Sequence, residues 1–330
     1  MKLSDLILDM NTGDASKHDA YIQEAVGKIN VASAYFEVGH KLSQLPVDSN
    51  GKYYIVQEAA AEEGLPTTPE GGAALANQSI KESLKAFYDL IVQTAKKVKQ
   101  AAEKDMKVVI AIGKKYGISA TGADFNEQFV KSLVKAITDD KGKKLSLGDK
   151  KFLKGKYSSQ IAECYGIGMV NFLSAYGMSF NEEGLTENYR PFRSKREVNT
   201  FKDMWKNMSY GGKLINFDKT VSKERHYTEK VTAGDMEDLF TNIFETMHIA
   251  KAVVDVAASA SAKKSAMAAV ETLCGKEDCN NKKVSKTCEL INDGIKDWTE
   301  NLVAITDVIA KAYTDSVYSL TEALTGGPTE

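Results

Sequence analysis

The five prolines of this 330-residue chain stand at positions 46, 66, 69, 191 and 328, leaving two spans, 70–190 and 192–327, without any. An interior proline removes a helical hydrogen bond and clashes with the preceding turn, at a cost of about 3 kcal/mol. Both spans are therefore free to hold long helices. Val, Ile and Thr do not gather into alternating runs, which leaves little strand signal.

Helical periodicity is clearest towards the C-terminus. Thr232-Ala233-Gly234-Asp235 has the form of a capping box with Asp in place of Glu. Met236, Phe240, Ile243, Met247, Ala250, Val254, Ala257 and Ser261 then recur at alternating steps of four and three. The pattern continues through Met267, Val270 and Leu273, and Gly275 is a good stop. A polar turn follows. The next helix carries Cys288, Ile291, Ile295, Trp298, Leu302, Ile305, Ile309, Ala312 and Ser316, and ends before Gly326-Gly327-Pro328. This is a heptad seam of about four repeats, and it places Ile295, Trp298, Leu302 and Ile305 in the interior. The two segments predict a long antiparallel hairpin. Within the first, the small residues from Ala250 to Ala269 predict close packing against a neighbour.

The N-terminal third reads similarly. Ile22, Val26, Ile29 and Phe36 share one face of a helix over 15–45, with a break at Pro46 to Gly51 and a short helix from Tyr53 to Glu63. After a loop with Pro66 and Pro69, a helix of about 44 residues turns Ile80, Leu84, Phe87, Ile91, Val98 and Met106 inward. Its outer face carries Lys96, Lys97, Lys99, Lys104 and Lys107, and Gly117 stops it. Some forty residues of helix span about 60 Å, whereas a compact globule of this length is about 50 Å across. The expected fold is therefore all-α: an elongated bundle of long antiparallel helices in coiled-coil-like hairpins, with a smaller, loop-rich helical subdomain. The expected divisions are 1–117, 118–231 and 232–330. In the middle part, helices are expected over 125–137, 150–178 and 196–208.

Composition narrows the class. A net charge of -2 and 43% hydrophobic residues describe a globular chain and exclude a wholly cationic nucleic-acid coat. No apolar run reaches the roughly 18 residues of a membrane span. Asp5 and Asp9 interrupt the first apolar stretch, so no signal peptide is expected. The cysteines fall at 164, 274, 279 and 288. The last three are spaced as C-x4-C-x8-C with no neighbouring His, which suits reduced thiols or one disulfide better than zinc.

No catalytic motif stands out. Gly166-Ile167-Gly168 follows a helical pattern and lacks the third glycine of a dinucleotide loop, so helix packing explains it better. Ser209-Tyr210-Gly211-Gly212-Lys213 lacks the first glycine of a phosphate loop. The stretch from Asp139 to Asp149 has Lys143 where a calcium loop needs glycine and Asp149 where it needs glutamate, and reads as a polar turn between helices. No catalytic residue, metal or cofactor is expected.

The strongest asymmetry is in the arginines. All four, Arg190, Arg193, Arg196 and Arg225, lie between Thr186 and Thr232. That stretch has 11 basic and 6 acidic residues, a net of +5, which leaves -7 for the remainder of a chain whose total is -2. Aromatic residues are interleaved with it. Arginine and aromatics are enriched at protein interfaces, and Arg190, Arg193 and Arg196, with Tyr189 and Phe192, are the expected partner-binding residues. The expected function is a non-enzymatic structural or assembly protein, specifically a virion component of a bacterial virus. Its partners would be other protein subunits, and its place the virion or the host cytoplasm. A helical pore-forming or membrane-perturbing protein is the alternative, and a nucleic-acid-associated helical protein the second.

Overall fold

The computed structural model describes residues 17–54, 63–122, 125–155, separate positions between 157 and 169, 208–210, 213–215, 227–257 and 282–325. Long helices dominate them: α1 (Lys17–Leu42), α2 (Pro69–Lys115), α3 (Glu127–Lys141), α4 (Ala233–Ala257) and α5 (Lys282–Thr325). Local chemistry sets their ends. Thr68 caps α2 by accepting from the Gly71 N–H at 3.2 Å, and Pro69 takes the first turn, where no hydrogen bond is lost. Gly117, at φ 73°, ends it in a conformation that glycine adopts freely. Asn126 caps α3 through Phe129 N at 3.0 Å. The box at α4 forms with Asp as its second member: Asp235 N donates to Thr232 Oγ1 at 3.2 Å, and Thr232 N donates to Asp235 Oδ2 at 3.0 Å.

The four long helices, α1, α2, α4 and α5, run alternately down and up. Antiparallel to α2, α1 bonds His18 to Gln93 at one end and sets Gly39 against Gly72 and Ala76 at the other. Also antiparallel to α2 is α4, whose last residue, Ala257, accepts from the Tyr88 hydroxyl while Phe244 stacks on Phe125, just beyond α2. Parallel to α2, α5 keeps a constant register: Lys97 meets Asp307, Asp105 meets Thr314, and Lys115 meets the Leu324 carbonyl. Both α4 and α5 pack most extensively on α2, so α2 is the common spine of the bundle. At about 1.5 Å per residue, its 47 residues extend about 70 Å.

Buried positions follow the expected seams. Ile22, Ile29, Phe36, Ile80, Leu84, Phe87, Ile91, Val98, Met106, Met236, Phe240, Ile243, Ile295, Leu302 and Ile309 all lie in one continuous core. Trp298 and Ile305 fall within α5, but their side chains are outside the described set, as is the Ala-rich run after Ala257.

Three expectations need correction. Lys97 does not sit on a solvated face. It bridges Asp19 of α1 and Asp307 of α5, each at 2.7 Å, and its side chain is largely covered. Burial pushes the ammonium down, and the hydrogen bonds to both carboxylates outweigh it, holding the group above its ordinary value. Tyr53 starts no helix; it pairs with Val47 across a tight turn in which Asp48 Oδ1 accepts from Asn50 N and Lys52 N.

The polar stretch after α3 joins a helix to a strand. After Gly142 (φ 89°), β1 (Lys144–Ser146) begins, and β2 (Phe152–Leu153) occupies residues expected to be helical. The remaining strands are β3 (Met208–Tyr210), β4 (Lys213–Ile215), β5 (Tyr227–Thr228) and β6 (Lys230–Thr232). All are antiparallel pairs, β1 with β6, β2 with β5, and β3 with β4. Two or three residues cannot display an alternating pattern, so these strands leave no periodic signal. Leu145 pairs with Val231, both buried, and this ladder fastens the two ends of the insertion between α3 and α4.

Candidate functional site: a buried polar layer and the outer face of α1

The residues expected to bind a partner, Tyr189, Arg190, Phe192, Arg193 and Arg196, lie outside the described residues, as does Arg225. Of the cysteines, Cys288 is a buried free thiol in α5, and the other three lie outside the described residues. Gly166 is described, and a Cβ there would meet Ile249 Cδ1 of α4 at 3.0 Å, in keeping with helix packing.

Where the insertion meets the bundle, the interior becomes polar. Tyr313 of α5 donates to the Ser158 carbonyl at 3.0 Å, and Asn242 of α4 donates to the hydroxyls of Ser158 and Ser159 at 2.9 and 3.1 Å. Leu153 N donates to the Ser316 hydroxyl at 2.9 Å. Nearer the surface, Lys150 pairs with Glu322, whose second oxygen accepts from Tyr318 at 2.8 Å. Of these, the Leu153 bond satisfies a backbone N–H of β2 that would otherwise be buried without a partner. Their role is to seat the insertion on α4 and α5.

Asp105, on α2, is the extreme member of this layer, with 1% of its surface exposed. Thr314 donates to its carboxyl, 3.0 Å from one oxygen and 3.2 Å from the other. Burial pushes the group up to about 8, against the smaller opposing effects of Thr314 and Lys104. Asp105 is therefore mostly neutral at pH 7, a buried acid held by a hydroxyl. Among the described residues no three His, Cys, Asp or Glu side chains come together as a metal site. No described helix is long and apolar enough to cross a membrane.

The surface shows a different feature. The inward stripe of α1 runs through Ile22, Ala25, Ile29, Ala32 and Phe36. A second stripe on its outer side, Ala20, Glu24, Gly27, Val31, Ala34 and Val38, also advances by alternating fours and threes. Tyr21, Lys28 and Tyr35 flank it at heptad spacing. Tyr21 is 54% exposed, Val31 58% and Tyr35 49%. Large exposed apolar side chains among the described residues are confined to α1 and the loop after it, where Val47 and Tyr54 complete the set. Isolated exposed apolar residues are ordinary; a contiguous series on one helix face marks an interaction surface. Only Glu24 and Lys28, paired at 2.5 Å, bring charge to its middle.

The fold and this surface together define a class, an elongated helical bundle with a bare apolar stripe on one edge helix. Compared with protein-family models, curated proteins and solved structures, the chain has no match.

Proposed function

We propose that this chain is a non-enzymatic structural or assembly protein acting through helix packing and subunit contacts. The observation that carries the reading is the outer face of α1. A bundle that already buries one stripe of this helix has no internal use for a second at heptad spacing, whereas a neighbouring subunit does. The rod formed by α2 and α5 supplies a rigid body on which such contacts can be arrayed. The specific form of the proposal is a virion component of a bacterial virus; it draws on the architecture, and no single residue points to a virus.

The class is tested by size-exclusion chromatography with light scattering over a wide concentration range. Species heavier than one chain support it, and a monomer at every concentration counts against self-assembly. The viral setting is tested by the neighbourhood of the gene. Portal, capsid or tail genes beside it support that setting, and a neighbourhood of metabolic genes removes it.

A further inference from the structure

The outer face of α1 is also self-complementary. In two identical antiparallel helices related by a two-fold axis, each residue faces the residue equally far beyond the axis in the second copy. With the axis level with position 26, midway between Glu24 and Lys28, three pairs of matched chemistry form. Glu24 meets Lys28 of the second copy, Tyr21 meets Val31, and the Lys17 ammonium meets the Tyr35 ring. Each occurs twice by symmetry. A parallel pairing would instead oppose Lys28 to Lys28 and Glu24 to Glu24, and like charges disfavour it.

Size agrees with charge. The paired residues Lys17, Tyr21, Glu24, Lys28, Val31 and Tyr35 advance by alternating fours and threes along one exposed stripe; Gly27 lies on its edge, one residue from the axis, and a Cβ built there meets nothing within 4 Å. Ala20 and Ala34 stand one heptad to either side and present only methyl groups. The small side chains thus line one edge of the paired stripe, with Gly27 nearly level with its centre, and the large apolar side chains stand within it on either side of the axis.

We infer that two copies of this chain pair through their antiparallel α1 helices, a deepening of the assembly reading on which this rests. One helix pair buries less than the roughly 800 Å² per partner of a standard interface. The dimer is accordingly concentration-dependent.

Sedimentation equilibrium on the full chain tests this, with Gly27→Arg as the first variant. The open space around Gly27 lets the monomer keep its helicity and melting temperature, while dimerisation weakens at least tenfold. Glu24→Lys and Lys28→Glu each weaken the dimer, and the double exchange restores it to within about threefold, because opposite charges again face each other across the axis. Dimerisation untouched by Gly27→Arg, or a double exchange as weak as the single ones, overturns the interface. Larger assemblies that survive Gly27→Arg leave the assembly reading standing and remove this interface alone. A Val31→Glu variant with a lowered melting temperature under monomeric conditions shows the face covered by this chain's own residues, and overturns it as well. A wild-type chain that stays monomeric at every concentration removes both the dimer and self-assembly.

Discussion

At Asp105 the fold accommodates a carboxyl group at the cost of its charge. An ordinary aspartate titrates near 3.8, and burial here moves the group to about 8. The unfolded chain releases this proton at acid pH, while the folded chain retains it until about pH 8. Folding therefore binds a proton between those values, and stability falls as pH rises from about 4 to about 8, by up to about 1.4 kcal/mol per unit. Below that window the group has no effect on the balance, and above it the loss is complete. Asp105→Asn keeps an acceptor for Thr314 and removes the ionisation. Its melting temperature should match the wild type near pH 4 and exceed it at pH 8, as thermal unfolding followed by circular dichroism would show. Equal pH slopes in the two proteins would refute the assignment. Gly39 is a second residue-scale case. A Cβ there would lie 2.6 Å from Ala76 N and 2.7 Å from Gly72 O, both backbone atoms that cannot step aside. Gly39→Ala should lose about 1–2 kcal/mol in denaturant titration, since overpacking outweighs the helix-propensity gain of about 0.5–1 kcal/mol. A net gain would mean that α1 and α2 do not cross at this glycine.

At the scale of elements, helix ends were the most legible part of the sequence, because each depends on a few adjacent residues. Thr232 and Asp235 announced the start of α4, and Gly117 the stop of α2. Asp235 has a further role that no local pattern could reveal: its Oδ1 accepts from Gly155 N at 3.1 Å, 80 residues away in sequence. Thr232→Ala should cost about 1 kcal/mol, the ordinary value of a lost cap. Asp235→Ala should cost more, about 2–3 kcal/mol, because a part-buried N–H also loses its acceptor. Denaturant titration of both variants checks the order, and equal losses would show that the bond to Gly155 contributes nothing. The short strands were illegible for the complementary reason. Their pairing partners lie 74 residues or more away for β1 and β2, and the burial of Leu145 and Val231 becomes visible only once they are paired. The role of Lys97 is hidden in the sequence because it stands among the lysines Lys96 and Lys99, while its partners Asp19 and Asp307 lie on other helices.

At the scale of the molecule, the proline-free spans and the seams were enough to predict a bundle longer than a globule. The register was not. That α5 runs parallel to α2 follows from contacts such as Asp105 with Thr314, which join positions 209 residues apart. The outer stripe of α1 was present in the sequence all along, at Ala20, Gly27, Val31 and Ala34. Nothing in the sequence singles it out, because Ile22, Ile29 and Phe36 already account for one amphipathic face, and only exposure shows the other to be uncovered. The arginine-rich stretch was conspicuous in composition, and its stated role in partner binding rests on composition still. The central claim, a long rod that associates through α1, is tested most directly by small-angle X-ray scattering on the full chain across concentrations. The account predicts a longest dimension beyond the about 70 Å of α2, and a particle mass rising with concentration towards twice 36.1 kDa. A particle of one 36.1 kDa chain at every concentration, with a longest dimension near the about 50 Å of a compact globule, would contradict it.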